Sequence, residues 1–543
     1  MMNSFHMKKH ITNLTLIAAL FAASACTDLE LTPPDKAVPD VFFQDEESYV
    51  SFIARVYSGL AVTGQSGPAG SADISSLDEG FSNYLRQYWQ LQELTTDEAV
   101  IAWGDEGLPE LHNHTWSSAN QFVRAMYYRI FFQVSMANEF IRESTPEKLD
   151  SRGVSEEGKK EIEYFRAEAR FLRALSYWHG IDLFGNIPFY TEETEVGGAA
   201  PDQADRATVF NFIESELNDI ESQIKEPGTN DYGRADRAAV WMLQAKLYLN
   251  AEIYTGTARY ADALNAAKKV IDSGAYSMQD TYAHLFRTDN NTSNEIIWAI
   301  PFDGQSTQTW GGMTYLVHAP VGGNMQDNVN DETGEDFPDE VSTLYGINGG
   351  WAGLRTTSAL VDKFPAGQID ERAIFYTNGQ NKSIENIGTF QDGYGVLKFQ
   401  NVSSTGAAGS DLTHADTDYP MFRLAEAYLI YAEAVLRGGG GDPNTALGYI
   451  NALRERAYNS TAGNITADQM TLDFVLDERA RELYWEGTRR QDLIRYNQFT
   501  ENGIWPWKGG VKEGKTTEKF RELLPIPIAE ILANPKLSQN DGY

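Results

Sequence analysis

The chain has 543 residues, 42% of them apolar and 27 each of Phe and Tyr, which describes an ordered globular protein with a large core. Its formal charge of -33 opposes binding to DNA, RNA or an anionic lipid surface, whose phosphates would repel it. The single cysteine, Cys26, excludes an internal disulfide and a multi-cysteine metal site.

Lys8 and Lys9 form a basic start, Ile11 to Phe21 an apolar run, and Ala23-Ser24-Ala25 sets small residues before Cys26. This is the pattern of a secretory signal over residues 1–25, and its junction has the form of a bacterial lipobox. The apolar run is about eleven residues, against the roughly 20 that a spanning helix requires. Cys26 is therefore the expected lipidation site, with the membrane engaged through the lipid anchor only; two or more acyl chains suffice for stable attachment. Residues 26–41, acidic and Pro-rich, read as an extended tether.

From residue 42 the pattern is that of one mainly α domain. Helical periodicity runs from Glu46 to about Leu60 and breaks in the Gly/Ser/Pro stretch 64–76. A second helix is expected over 118–143, with cap signals at Ser117 and Ser118. Residues 162–183 carry an apolar stripe of Phe165, Ala169, Leu172, Leu175 and Trp178, stopped by Gly185 and Pro188. Helix pairs follow at 235–254 with 259–274 and at 421–437 with 443–458, where alanines alternate with large residues. They suggest a broken tetratricopeptide-like array. The expected fold is a helical scaffold over about 42–300 and 419–499, carrying a loop-rich excursion over about 301–418. Short strands are expected at 295–302 and 395–399.

The stretch 477–495, DERARELYWEGTRRQDLIR, crowds charge onto helical turns. Glu478 with Arg481, and Glu486 with Arg489 and Arg490, have the spacing of surface ion pairs worth a few tenths of a kcal/mol each. Glu482 and Glu486 share a helical face as an acid/base pair would. Arginines at matching spacing hold both carboxylates ionised, which makes the stretch scaffold.

This stretch, continued as ERARELYWEGTRRQDLIRYNQF, resembles the C-terminal signature of the SusD/RagB family, surface glycan-binding lipoproteins of Bacteroidetes-type bacteria. FRAEARFLRALSYWHGIDLFGNIPF (165–189) is similar to the family's first signature helix. GWAGLRTTSALVDKF (350–364) with Asp370 and Arg372 resembles a central motif, and YPMFRLAEAYLIYAEA (419–434) another. The ending LLPIPIAEILANPKLSQNDGY resembles the family's closing pattern. The resemblance implies a non-enzymatic protein without cofactor, anchored at the outer membrane and the cell surface. Its partner would be a SusC-like TonB-dependent transporter that receives captured oligosaccharide or polysaccharide. Asp28 and Glu30, just after Cys26, resemble the acidic export signals of such lipoproteins. Two other readings stay open: a helical glycoside hydrolase, whose carboxylates would stand about 5–10 Å apart, and a peptide-binding helical-repeat module.

Sugar recognition needs flat aromatic faces with hydroxyl, amide and carboxylate partners. Trp103, before Gly104, and Trp310, among polar residues and glycines, are the leading platforms, with Tyr315 and Tyr84 behind them. Asp97, Glu98, Asn324 and Asp327 are candidate hydroxyl acceptors. Trp351 falls inside a family motif, which favours a structural role. Trp178, Trp241 and Trp485 lie on helical stripes and are expected in the core. His112 and His114 alternate as a polar surface pair with no third metal ligand. The acidic run 324–340 lacks the EF-hand spacing for calcium.

Overall fold

The structure is a computed structural model, and it describes residues 39–325, 344–365, 367 and 369–543. The signal, Cys26 and most of the tether lie outside the described residues. The first long helices begin where short polar side chains take up free amide groups. Asp45 caps α1 (Glu46–Ser58), Asn83 caps α2 (Tyr84–Glu93), and Asn120 accepts from both Phe122 and Val123 at the head of α3 (Gln121–Glu143). The cap of α3 is therefore Asn120 and not the two serines; the Ser117 hydroxyl accepts instead from Ala119 N in the preceding turn. Helix α4 (Glu156–Phe184), capped by Ser155, starts earlier than its apolar stripe, because its first turn carries Glu156 and Glu157. It ends at Gly185, whose φ of 72° is open to glycine at little cost.

Helices α5 (Arg206–Ile220), α6 (Arg237–Leu249) and α7 (Tyr260–Asp272) complete the first half. The excursion contributes α8 (Gly312–His318); then follow α9 (Leu424–Leu436), α10 (Pro443–Tyr458), α11 (Leu472–Leu483), α12 (Arg489–Arg495) and α13 (Ile528–Ala533). Helix α6 packs on α7, α7 on α9 and α9 on α10, so the two helix pairs, distant in sequence, stack as one array. Buried Ala263 and Ala267 of α7 and Ala425 and Ala432 of α9 keep those backbones close.

Among the described residues, the strands form four two-stranded antiparallel ladders. These are β1 (Val100–Ile101) with β5 (Leu354–Arg355), β2 (Ile187–Pro188) with β3 (Gln203–Ala204), β4 (Ile296–Ile300) with β8 (Tyr419–Arg423), and β6 (Phe375–Tyr376) with β7 (Gly395–Val396). Strand β8 corrects the helix expected from 421. The YPMFR segment is drawn into register with β4, fully buried on both faces, and the helix starts only at Leu424.

The 477–495 stretch is also not one surface helix. Trp485 (φ 64°) and Gly487 (φ 72°) turn the chain between α11 and α12, and all of its charges except Asp477 are interior. Glu482, fully buried, accepts from Arg423 (2.6 Å), Arg372 (3.1 Å) and Arg456. Glu478 accepts from Arg372, Arg454 and Arg481, each at 2.8 Å. Glu486 turns away from Arg489 and Arg490 to Arg423 (2.6 Å) and Lys398 (2.6 Å). Burial opposes ionisation, but Arg372, Arg481 and Arg454 outweigh it and bring Glu478 down to about 2. Arg456, Arg423 and Arg372 hold Glu482 below the ordinary carboxylate range in the same way. Arg372 and Lys398 belong to the excursion, so this network ties it to the scaffold.

Candidate functional site

The β1–β5 ladder pairs Val100 with Arg355 and Ile101 with Leu354, which brings two distant tryptophans to one place. Beyond the ladder, Ala102 N donates to Gly353 O (2.9 Å) and the Trp103 indole N–H donates to Trp351 O (3.1 Å). Residue 353 must be small here: a Cβ on Gly353 would lie 2.6 Å from the Trp103 indole. The Trp103 and Trp351 ring centres are 6.3 Å apart at 42°, and Trp351 and Trp310 are 6.4 Å apart at 52°. All three rings are half-buried, so each keeps part of its surface open to solvent.

Trp351 stacks on His318, at the end of α8, with centres 4.7 Å apart and planes at 18°. The His318 ring nitrogens face Gly349 O (2.7 Å) and Thr413 O (3.0 Å), which fixes the ring plane. Trp310 rests 5.1 Å from His414. Underneath, the buried Tyr315 ring meets Trp103 edge-on at 5.9 Å, and its hydroxyl accepts from Gln90 Nε2 (3.2 Å). The Arg86 guanidinium lies 4.3 Å over Tyr315 and 5.9 Å from Trp103. It donates to Gly80 O (2.8 Å) and Trp310 O (3.3 Å). Burial lowers the Arg86 pKa, while Tyr315, exposed Asp105 and Asp78 act against that shift.

The structure places Trp103 and Trp310, each a candidate platform from the sequence, on either side of Trp351. Trp351, expected to be structural, joins them as the middle ring. Its signal was there to be read: it follows Gly349 and Gly350, the same glycine-rich setting that singled out Trp310. Arg86 carries no local sequence signal of this position, because it sits inside a helix. Tyr315 forms the floor and has no exposed surface.

Other candidates are interior. Tyr84 is fully buried, with its hydroxyl 2.8 Å from His179 Nδ1. Asp97 is gripped by Arg489 through two bonds of 2.7 Å, and Glu98 accepts from Trp485 N (3.1 Å). Neither Tyr84 nor Asp97 is available to a ligand at the surface; packing and ion pairing use them up. Asn324 closes into a short 3₁₀ turn, but its side chain, like Asp327 and most of the acidic run 324–340, lies outside the described residues. His112 and His114 are buried, contrary to the surface pair expected. His114 bonds Thr95 O (2.7 Å), and burial pushes its pKa down to about 3. No group of three potential metal ligands occurs among the described residues. Trp178 and Trp485 are core, whereas Trp241 is half-exposed and donates to Glu221 (2.8 Å). Glu482 and Glu486 face arginines and Lys398 in the interior, with no access for a glycosidic bond.

A sequence profile of the SusD family matches residues 362–543. The chain is 35% identical to the starch-binding protein SusD of Bacteroides thetaiotaomicron, over 98% of this chain and 99% of that one. It is 25% identical to a SusD-like protein, P25, of Formosa agariphila, over 97% and 98% respectively. Both names describe members of one family and not enzymes. Among solved structures, a SusD superfamily protein of Bacteroides thetaiotaomicron superposes with a TM-score of 0.69 at 19% identity, covering 91% of this chain and 99% of that one. Surface glycan-binding protein A of the same species, in complex with laminarihexaose, gives 0.66 at 19% identity, over 91% and 99%. These superpositions establish the fold, and the near-complete match at 35% identity establishes the lineage: the chain belongs to the SusD family.

Proposed function

We propose that this protein binds glycan at the cell surface through the Trp103–Trp351–Trp310 row and passes it to a SusC-like TonB-dependent outer-membrane transporter. The observation that carries the reading is the row itself: three half-open indoles, each 6.3–6.4 Å from the next, fixed from behind by His318, His414 and Tyr315. Such rings offer large apolar faces at low conformational cost, suited to the C–H faces of successive sugars. The ring planes are inclined to one another at 42° and 52°, and the chain's formal charge of -33 favours a neutral glycan over an anionic one. Exposed Asp105, two residues after Trp103, is the candidate hydroxyl acceptor. The names of two relatives, one for starch and one in complex with laminarihexaose, support this class of ligand.

Delivery and anchoring belong to the same reading. Residues 1–25 act as the signal, Cys26 carries the lipid, residues 26–41 form the tether and residues 42–543 the single domain. No helix among the described residues is long and apolar enough to cross a membrane. Affinity electrophoresis in gels containing starch, laminarin or an anionic polysaccharide tests the ligand class: retardation in a neutral glucan that Trp351→Ala abolishes is expected. Co-purification of a large barrel protein after mild detergent extraction tests the transporter. Full mobility in every glycan gel would remove the proposal.

A further inference from the structure

A second concave surface shares no residue with the tryptophan row. It is a cleft of about 710 Å³ between α3, the loop that follows β2 and the C-terminal helix α13. Its floor is aromatic: Tyr127, Tyr128 and Phe131 come from one face of α3 and Tyr190 from the loop. Tyr127 and Phe131 lie 4.6 Å apart, and Phe131 and Tyr190 6.3 Å apart. Tyr190 is held rigidly, its hydroxyl 3.0 Å from Ser135 Oγ and donating to Phe131 O (3.1 Å). The remaining polar groups are unevenly satisfied. The Tyr127 hydroxyl is buried and has no hydrogen-bond partner, although its ring lines the cleft. Glu530 of α13 lies close enough to add to the effect of burial on the Tyr127 and Tyr128 phenols and keep both protonated.

The chemistry of the lining selects its occupant. Arg142, the cation present, is taken up by Glu139 and by the main-chain oxygens of Glu192 (3.0 Å) and Thr194, leaving nothing to neutralise an anion. A wholly apolar ligand would bury the partly exposed Glu530 carboxylate without a hydrogen-bond partner. A neutral polyhydroxylated molecule with apolar faces satisfies both the rings and the oxygens. The volume falls within the few hundred to about 1,000 Å³ typical of sites for ligands of this size. We infer that the α3–α13 cleft is a second saccharide-binding site, taking a short stretch of neutral oligosaccharide. The inference rests on saccharide being the protein's ligand class, and goes beyond it in placing a site apart from the row.

The test is calorimetric titration of the purified full chain in detergent with maltoheptaose and with laminarihexaose. Two variants address the cleft: Tyr128→Ala, and Ala199→Trp, which adds bulk to an exposed position of its rim and leaves the scaffold untouched. The double variant Trp103→Ala/Trp351→Ala addresses the row. Two sites per chain are expected for at least one probe, with either cleft variant reducing the number to one and the double variant retaining the cleft site. A single site that the double variant abolishes and Ala199→Trp leaves intact overturns the cleft alone. Absence of heat with both probes overturns the saccharide reading and the cleft with it.

Discussion

The Trp103 indole N–H donates to the main-chain oxygen of Trp351 at 3.1 Å, a bond that joins residues 248 positions apart. It couples the loop after β1 to the loop before β5, so the orientation of one ring depends on the backbone that carries the next.

Binding should follow that coupling. Trp103→Ala and Trp351→Ala are each expected to weaken glucan affinity about 10- to 100-fold, or roughly 1.4–2.8 kcal/mol. Circular dichroism should be unchanged, because both rings are only half-buried. Gly353→Ala tests the geometry without removing a ring: its Cβ would meet the Trp103 indole, so affinity should fall although all three tryptophans remain. Wild-type retardation by Gly353→Ala would show that Trp103 need not hold this orientation.

The buried ionic network predicts a stability effect distant from any ligand. Glu482→Gln leaves Arg372, Arg423 and Arg456 short of negative charge, and breaking such a buried set costs about 3–5 kcal/mol. Chemical denaturation should show the loss. The pH dependence has a definite sign. Glu478 titrates near 2 in the folded state against an ordinary 4.5, so its contribution is complete above about 4.5 and is lost as pH falls towards 2. A melting temperature independent of pH between 5 and 2 would contradict this account.

Glu98 has the opposite sign. Burial and Asp97 raise its pKa to about 7, with Arg489 acting the other way. A folded value above the ordinary 4.5 means stabilisation that is full below about 4.5 and disappears as pH rises through 7. Glu98→Gln should therefore flatten the decline in melting temperature between pH 5 and 8. Parallel profiles for variant and wild type would exclude Glu98 as the source.

Lipid anchoring through Cys26 predicts that Cys26→Ala releases the protein from membranes into the aqueous phase on detergent partitioning, because the acyl chains that would hold it are lost. Retention of the variant in the detergent phase would overturn lipid anchoring.

The sequence alone determined the helical class, the two helix pairs and the resemblance to the SusD family, because these rest on local periodicity and on contiguous motifs; that the two pairs stack as one array was decided by the tertiary structure. The sequence also singled out Trp103 and Trp310 as candidate platforms through their polar, glycine-rich surroundings, and both are only half-buried. Only the tertiary structure decided which of the candidates reach solvent. Tyr84 and Asp97 sit in segments as polar as that of Trp103, yet His179 and Arg489, far along the chain, draw them inside. Trp351 became the central ring because β1 pairs with β5, and the acid-rich helix became core because Arg372, Arg423 and Arg456 converge on it. Burial and charge pairing between remote segments are long-range properties, and no local pattern of residue types encodes which partner will arrive.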